Sequence, residues 1–197
     1  MVILTANGFQ NKENCSDLLK IVKNKKVFIC TNAIDRDIYK KKCYEKNFAF
    51  LNGLPSRLDG GDLTCENIYK YQDYYDCIFI AEGNIKKLGE SLNNKEVKEG
   101  LLKFVSRGKT LICEGLSSLI ATQNLDYINA VLNCLDEEND FYKSLNYSSI
   151  TTLGLTKEKI IVYPNILRGK FQGACKLAEK QNRISFRYLK DDEFIVL

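Results

Sequence analysis

The sequence predicts a three-layer α/β fold, a mainly parallel sheet with helices on both faces. Three observations carry that expectation. Short continuous apolar runs, of which residues 76–81 (D-C-I-F-I-A) are the strongest, read as strands buried on both faces. These runs alternate with longer helical stretches, and such alternation means βαβ units. Two of the runs end at unusual loops, Glu82-Gly83-Asn84 and Glu114-Gly115-Leu116. Sites in parallel sheets form outside the carboxyl ends of the strands, so these loops are expected to be neighbours.

Taken in order, residues 2–5 form a first short strand that stops at the turn signal Ala6-Asn7-Gly8. Residues 14–22 carry Leu18, Leu19, Ile21 and Val22 at helical spacing, and 27–31 form a second strand closed by Asn32. Residues 34–47 are charged and helix-like, and 48–51 (F-A-F-L) read as a third strand. A loop over 58–62 follows, then a helix starting near Thr64 and Asn67. After the fourth strand at 76–81 come helices over 85–92 and 95–106. The second has Val97, Leu101, Leu102 and Val105 on one face and Gly108 just past its end. Residues 110–113 form the fifth strand, and 116–135 are helical with a break at Asn124. An acidic loop fills 136–140. Residues 150–155 and 160–163 read as strands, the latter stopped by Pro164-Asn165. A helix over 171–180 leads to closing strands at 184–189 and 193–197, joined by an Asp191-Asp192 turn. With no repeat, low-complexity tract or linker, the 197 residues are expected to form one domain.

Composition narrows the function classes. Net charge is +4, but the lysines are scattered and no recognition motif accompanies them, so nucleic-acid binding is not expected. No apolar stretch reaches the length of a membrane span and no signal peptide is evident, which points to the cytoplasm without membrane attachment. The eight cysteines include no C-x-x-C pair, and several sit inside apolar runs, as small hydrophobes do in a reducing compartment. The chain contains no histidine, which excludes a Ser-His or Cys-His catalytic pair within it and removes the commonest ligand of catalytic zinc. No metal or other cofactor is expected. Asn7-Gly8-Phe9-Gln10 makes a poor phosphate loop, which weighs against flavin.

The stretch 107–121 (R-G-K-T-L-I-C-E-G-L-S-S-L-I-A) reads as a strand that breaks at a tight turn into a helix. Such an elbow lifts one side chain above the sheet and is where many α/β hydrolases place a nucleophile. Here the apex residue is Gly115, which has no side chain to lift.

At these loops the sequence resembles the dipeptidase E and cyanophycinase family of serine peptidases, which has the class I glutamine amidotransferase-like, or flavodoxin-like, fold. The family's strand followed by G-G-N-T matches Ile80-Ala81-Glu82-Gly83-Asn84-Ile85, with Glu82 at the first glycine and Ile85 at the threonine. Its G-K, short strand and G-x-S-A-G-A match Gly108-Lys109 through Ser118, with Gly115 at the nucleophilic serine. Its strand ending in P-H-F matches Val162-Tyr163-Pro164-Asn165-Ile166, with Asn165 at the catalytic histidine. Leu4-Thr5-Ala6-Asn7-Gly8 and the closing strands extend the likeness to most of the chain. The resemblance implies an oxyanion site at the backbone of Gly83, Asn84 and Leu116, and a peptide or small-molecule ligand. A serine hydroxyl is a weak nucleophile without a base, so losing serine and histidine together implies lost peptidase activity.

The same residues admit other chemistry. Shifting the match by two positions makes Cys113 the nucleophile, at the cost of a deletion in the strand and with no histidine to activate the thiol. Ser117 or Ser118 is a displaced nucleophile in a second variant, although a first-turn serine usually bonds backbone. Glu82 and Glu114 are two carboxylates at adjacent strand ends, suited to a cationic ligand or an acid–base pair, or simply solvated. The remaining alternative is a non-enzymatic flavodoxin-like module that forms a homodimer through an exposed strand or helix.

Overall fold

Residues 1–8, 16–51, 53–135, 146–162, 168–190 and 193–197 are described by the computed structural model. A six-stranded sheet holds β3 (Arg57–Gly61), β2 (Lys26–Cys30), β4 (Cys77–Ile80), β5 (Thr110–Glu114), β1 (Val2–Thr5) and β8 (Phe194–Val196), side by side in that order. Its first five strands run parallel, and only β8 lies antiparallel, on β1. A separate two-stranded parallel sheet pairs β6 (Lys159–Val162) with β7 (Phe186–Leu189).

Side chains alternate across a strand, so each central strand feeds two cores. On one face Val2, Leu4, Phe28, Cys30, Ile78, Ile80, Leu111 and Cys113 pack under the helices α3 (Ile68–Tyr74), α4 (Ile85–Leu92), α5 (Lys95–Ser106) and α6 (Asp126–Leu132). On the other face Ile3, Val27, Ile29, Cys77, Phe79 and Ile112 pack under α1 (Ser16–Val22) and α2 (Asp37–Leu51). The three-layer α/β architecture follows directly from these two apolar faces.

Helices α4 and α5 form where the sequence places them, because an asparagine caps each. Asn84 accepts from the Lys86 and Lys87 N–H groups, and Asn94 from those of Glu96 and Val97. In α5 the buried stripe is Val97, Gly100, Leu101 and Phe104, with Leu102 and Val105 at its margin. The face is therefore turned slightly from the predicted one. Helix α7 (Arg168–Asn182) leads into β7.

Four expected elements differ. Residues 48–51 continue α2: the alternating F-A-F-L also fits a helix, in which Tyr44 meets Phe48 one turn on and Leu51 is buried. The expected loop at 58–62 is strand β3, an edge strand whose charged Arg57 and Asp59 hold each other at 2.6 Å. Residues 150–155 form no strand, and Gly154 among them has a left-handed φ of +68°. Their Leu153 and Leu155 N–H groups instead donate to Ile120 and Ala121 carbonyls, each at 2.7 Å. The closing strands do not form a hairpin, because β7 joins β6 while β8 reaches the main sheet. After β5 the chain enters a 3₁₀ helix (Gly115–Ala121), which breaks before α6.

Strand β2 leads to β3 on one side of it and β4 leads to β5 on the other, although β2 and β4 are neighbours. This reversal opens a crevice at their carboxyl ends, where ligands bind in folds of this kind.

Candidate functional site

The site begins with the hydrogen-bond register. Ile80 lies beside Cys113 across the β4–β5 pair, so the loops that follow meet above the sheet. The Glu82 N–H donates to Glu114 Oε2 at 3.1 Å. Glu114 is only 3% exposed, and its side chain runs alongside Gly8 from the β1 loop. Three strand ends thus converge on one buried carboxylate.

Gly115 occupies the junction of β5 and the 3₁₀ helix, with φ of +56°. That left-handed region is open to glycine and costs other residues about 1–3 kcal/mol. A Cβ at Gly115 would collide with the Glu82 carboxylate and Cγ. Glu82 therefore fills the volume that an elbow side chain would take. Burial is the first cause that lifts the Glu82 pKa above the ordinary carboxylate value, and the Glu114 charge is the second; Lys46 and the Leu116 backbone N–H oppose them.

The other loop is fixed by backbone contact. Gly83 lies so close to Ala33 that a Cβ would strike the Ala33 carbonyl, and the Asn84 N–H donates to that same oxygen at 2.7 Å. The Asn84 amide N–H is thereby committed, while its side chain caps α4. Lys87 ties the β2 loop to α4 by donating to the Ile34 carbonyl at 2.9 Å.

The remaining nucleophile candidates are interior. Ser117 is fully buried and donates to the Ala81 carbonyl at 2.8 Å. Ser118 is equally buried and donates to the Cys113 carbonyl at 2.8 Å and the Thr5 carbonyl at 3.3 Å. Cys113 is buried in β5, and desolvation, followed by the neighbouring Cys30 and Cys77, pushes its thiol pKa far above the ordinary range. Asn165 lies outside the described residues. Among the described residues no group of three or more Cys, Asp or Glu side chains is placed to hold a metal ion. No described helix is long and apolar enough to cross a membrane.

Sequence reasoning missed the loop after β2. Ala33, Ile34, Asp35, Arg36 and Tyr39 form one wall of an open cleft of about 460 Å³, and Glu82, Gly83 and Asn84 form the other. The signal for it was the strand order, since the reversal between β2 and β4 puts these loops opposite each other.

No protein-family model and no curated protein matches the sequence. Solved structures do. A proposed peptidase E of Listeria monocytogenes EGD-e superposes with a TM-score of 0.69 at 14% identity, over 98% of this chain and 91% of its own. The chain has a peptidase E-like fold. A peptidase from an acI-B1 Actinobacterium superposes with a TM-score of 0.63 at 11% identity, over 90% of this chain and 73% of its own. Within this peptidase E-like fold, the β5 elbow, the Glu82-Gly83-Asn84 loop and the β2–β4 cleft lie on one rim of the sheet.

Proposed function

We propose that this protein is a dipeptidase E-like homologue that has lost peptidase activity and uses the cleft at its strand ends to bind a small ligand. One observation carries the reading. The elbow residue is Gly115, and the space above it is filled by the Glu82 carboxylate instead of a nucleophile. The absence of histidine from the 197 residues supports the same conclusion, because no imidazole of this chain activates a hydroxyl or thiol. The buried hydroxyls of Ser117 and Ser118 and the buried thiol of Cys113 weigh against a displaced nucleophile, since none of the three reaches solvent.

Asp-X dipeptides test this directly. Purified protein incubated with Asp-Leu is expected to release no free aspartate above the buffer rate. Hydrolysis that disappears in a Ser117→Ala/Ser118→Ala double variant, or in Cys113→Ala, would overturn the reading and assign the nucleophile.

A further inference from the structure

Helix α2 carries apolar side chains on two sides. On its inner side Cys43, Tyr44, Phe50 and Leu51 rest against the sheet. Its outer side carries Ile38, Lys41, Glu45 and Phe48. Ile38 is 60% exposed and Phe48 46%, so neither belongs to the core, and both charged side chains are exposed as well. Steps of three, four and three residues keep the four on one stripe, which is the spacing of a helix-pairing seam. Lys42, beside the stripe, is drawn aside to the Tyr39 ring at 5.9 Å, which leaves Lys41 and Glu45 as the charges along it. Those two hold each other loosely at 3.9 Å within one chain. The stripe is separate from the cleft, because the cleft residue Tyr39 lies about 100° around the helix from Ile38.

The order of the four residues is self-complementary: apolar, positive, negative, apolar. We propose that α2 pairs antiparallel with α2 of a second copy of this chain along the stripe, forming a weak two-fold dimer. Ile38 then meets the partner's Phe48, and Lys41 meets the partner's Glu45. A two-fold interface uses the same patch on both subunits, so each contact occurs twice. Opposite charges facing across the seam fix the antiparallel register, since a parallel pairing would set Lys41 on Lys41 and Glu45 on Glu45. With 15 residues α2 is about 22 Å long, and one such helix pair falls short of the roughly 1,200 Å² of a stable interface, which makes the association weak.

Sedimentation velocity at protein concentrations from about 10 µM to about 1 mM tests it. The sedimentation coefficient is expected to climb from the monomer value toward that of a dimer, with a Kd of about 50–500 µM. Ile38→Lys sets a charge against the partner's Phe48 and is expected to keep the protein monomeric throughout. Lys41→Glu and Glu45→Lys each set like charges across the seam, and each is expected to weaken the dimer about tenfold. The double variant Lys41→Glu/Glu45→Lys restores opposite charges in every pair and is expected to dimerise within about threefold of wild type. These positions are exposed, so each variant should keep the wild-type circular dichroism spectrum. A monomer at about 1 mM, a dimer that Ile38→Lys leaves intact, or a double variant as weak as the single ones overturns the proposal. So does a monomer that binds phosphatidylglycerol vesicles through Ile38, which would give the stripe to a lipid surface.

Discussion

At Gly115 a missing side chain and an added one occupy the same space. The resemblance puts a serine at this position and a glycine at position 82, whereas the chain has the glycine here and a glutamate at 82, with Glu82 leaning onto the bare Cα of Gly115. The two substitutions are therefore physically coupled. Gly115→Ser is expected to lower stability by about 1–3 kcal/mol from the left-handed backbone alone, with the collision against Glu82 added to it. Glu82→Gly in the same chain should remove the collision and leave the backbone cost. A urea-denaturation double-mutant cycle measures this, and a coupling of about 0.5–3 kcal/mol is expected. Strictly additive effects would show that the carboxylate yields freely and does not fill the site. The neighbouring serines predict a different pattern. Ser117→Ala and Ser118→Ala each delete a buried hydroxyl that bonds backbone carbonyls, so each is expected to cost about 1 kcal/mol. A variant as stable as wild type would mean that its hydroxyl contributes no net bond.

Among the elements, α4 matters most for the site because its cap is also part of the cleft. Asn84 holds the first turn of α4 through two N–H groups and holds the β2 loop through its own N–H. Asn84→Ala is expected to cost about 1 kcal/mol in thermal or urea unfolding. It should raise amide exchange at Lys86 and Lys87 ahead of the rest of the helix; unchanged exchange there would contradict the capping role. This element also shows what the sequence made legible. An asparagine before an amphipathic run is local information, so α4 and α5 could be bounded from residue types alone. The apolar runs of β1, β2, β4 and β5 were equally readable, because a strand buried on both faces needs no partner to declare itself. Strand β3 was not readable, since Arg57 to Gly61 has two charges and two glycines and becomes a strand only by pairing with β2. Residues 48–51 failed for the opposite reason: four apolar residues fit either period, and the i to i+4 contact of Tyr44 with Phe48 fits the helix. The meeting of the Glu82 and Glu114 loops was expected because both follow the carboxyl ends of strands in a parallel sheet, but the filling of the elbow by Glu82 was not. That depends on a side-chain direction no spacing encodes.

For the whole molecule, the sheet forces two carboxylates to share the rim where strands β1, β4 and β5 end. Glu114 lies buried beneath the Glu82 backbone, and its charge adds to the desolvation that lifts the Glu82 pKa. Global stability is therefore linked to protonation at this rim. In the unfolded chain Glu82 titrates near the ordinary value of about 4.3. In the folded chain it holds its proton more tightly, so between the two values the folded state binds more protons than the unfolded one, and stability falls as pH rises. The stabilisation from protonated Glu82 is fully present below the unfolded value and is lost as pH climbs through the folded one. Glu82→Gln mimics the protonated side chain and carries no such loss. Melting temperatures of the two proteins, followed by circular dichroism from about pH 4 to about pH 8, are expected to diverge in favour of the variant as pH rises. The divergence should be modest, because Glu82 retains solvent contact and water screens its repulsion from Glu114. A gap that stays constant with pH, or one that widens toward acid, would mean that the carboxylate on Gly115 is held by contacts favouring its charged form.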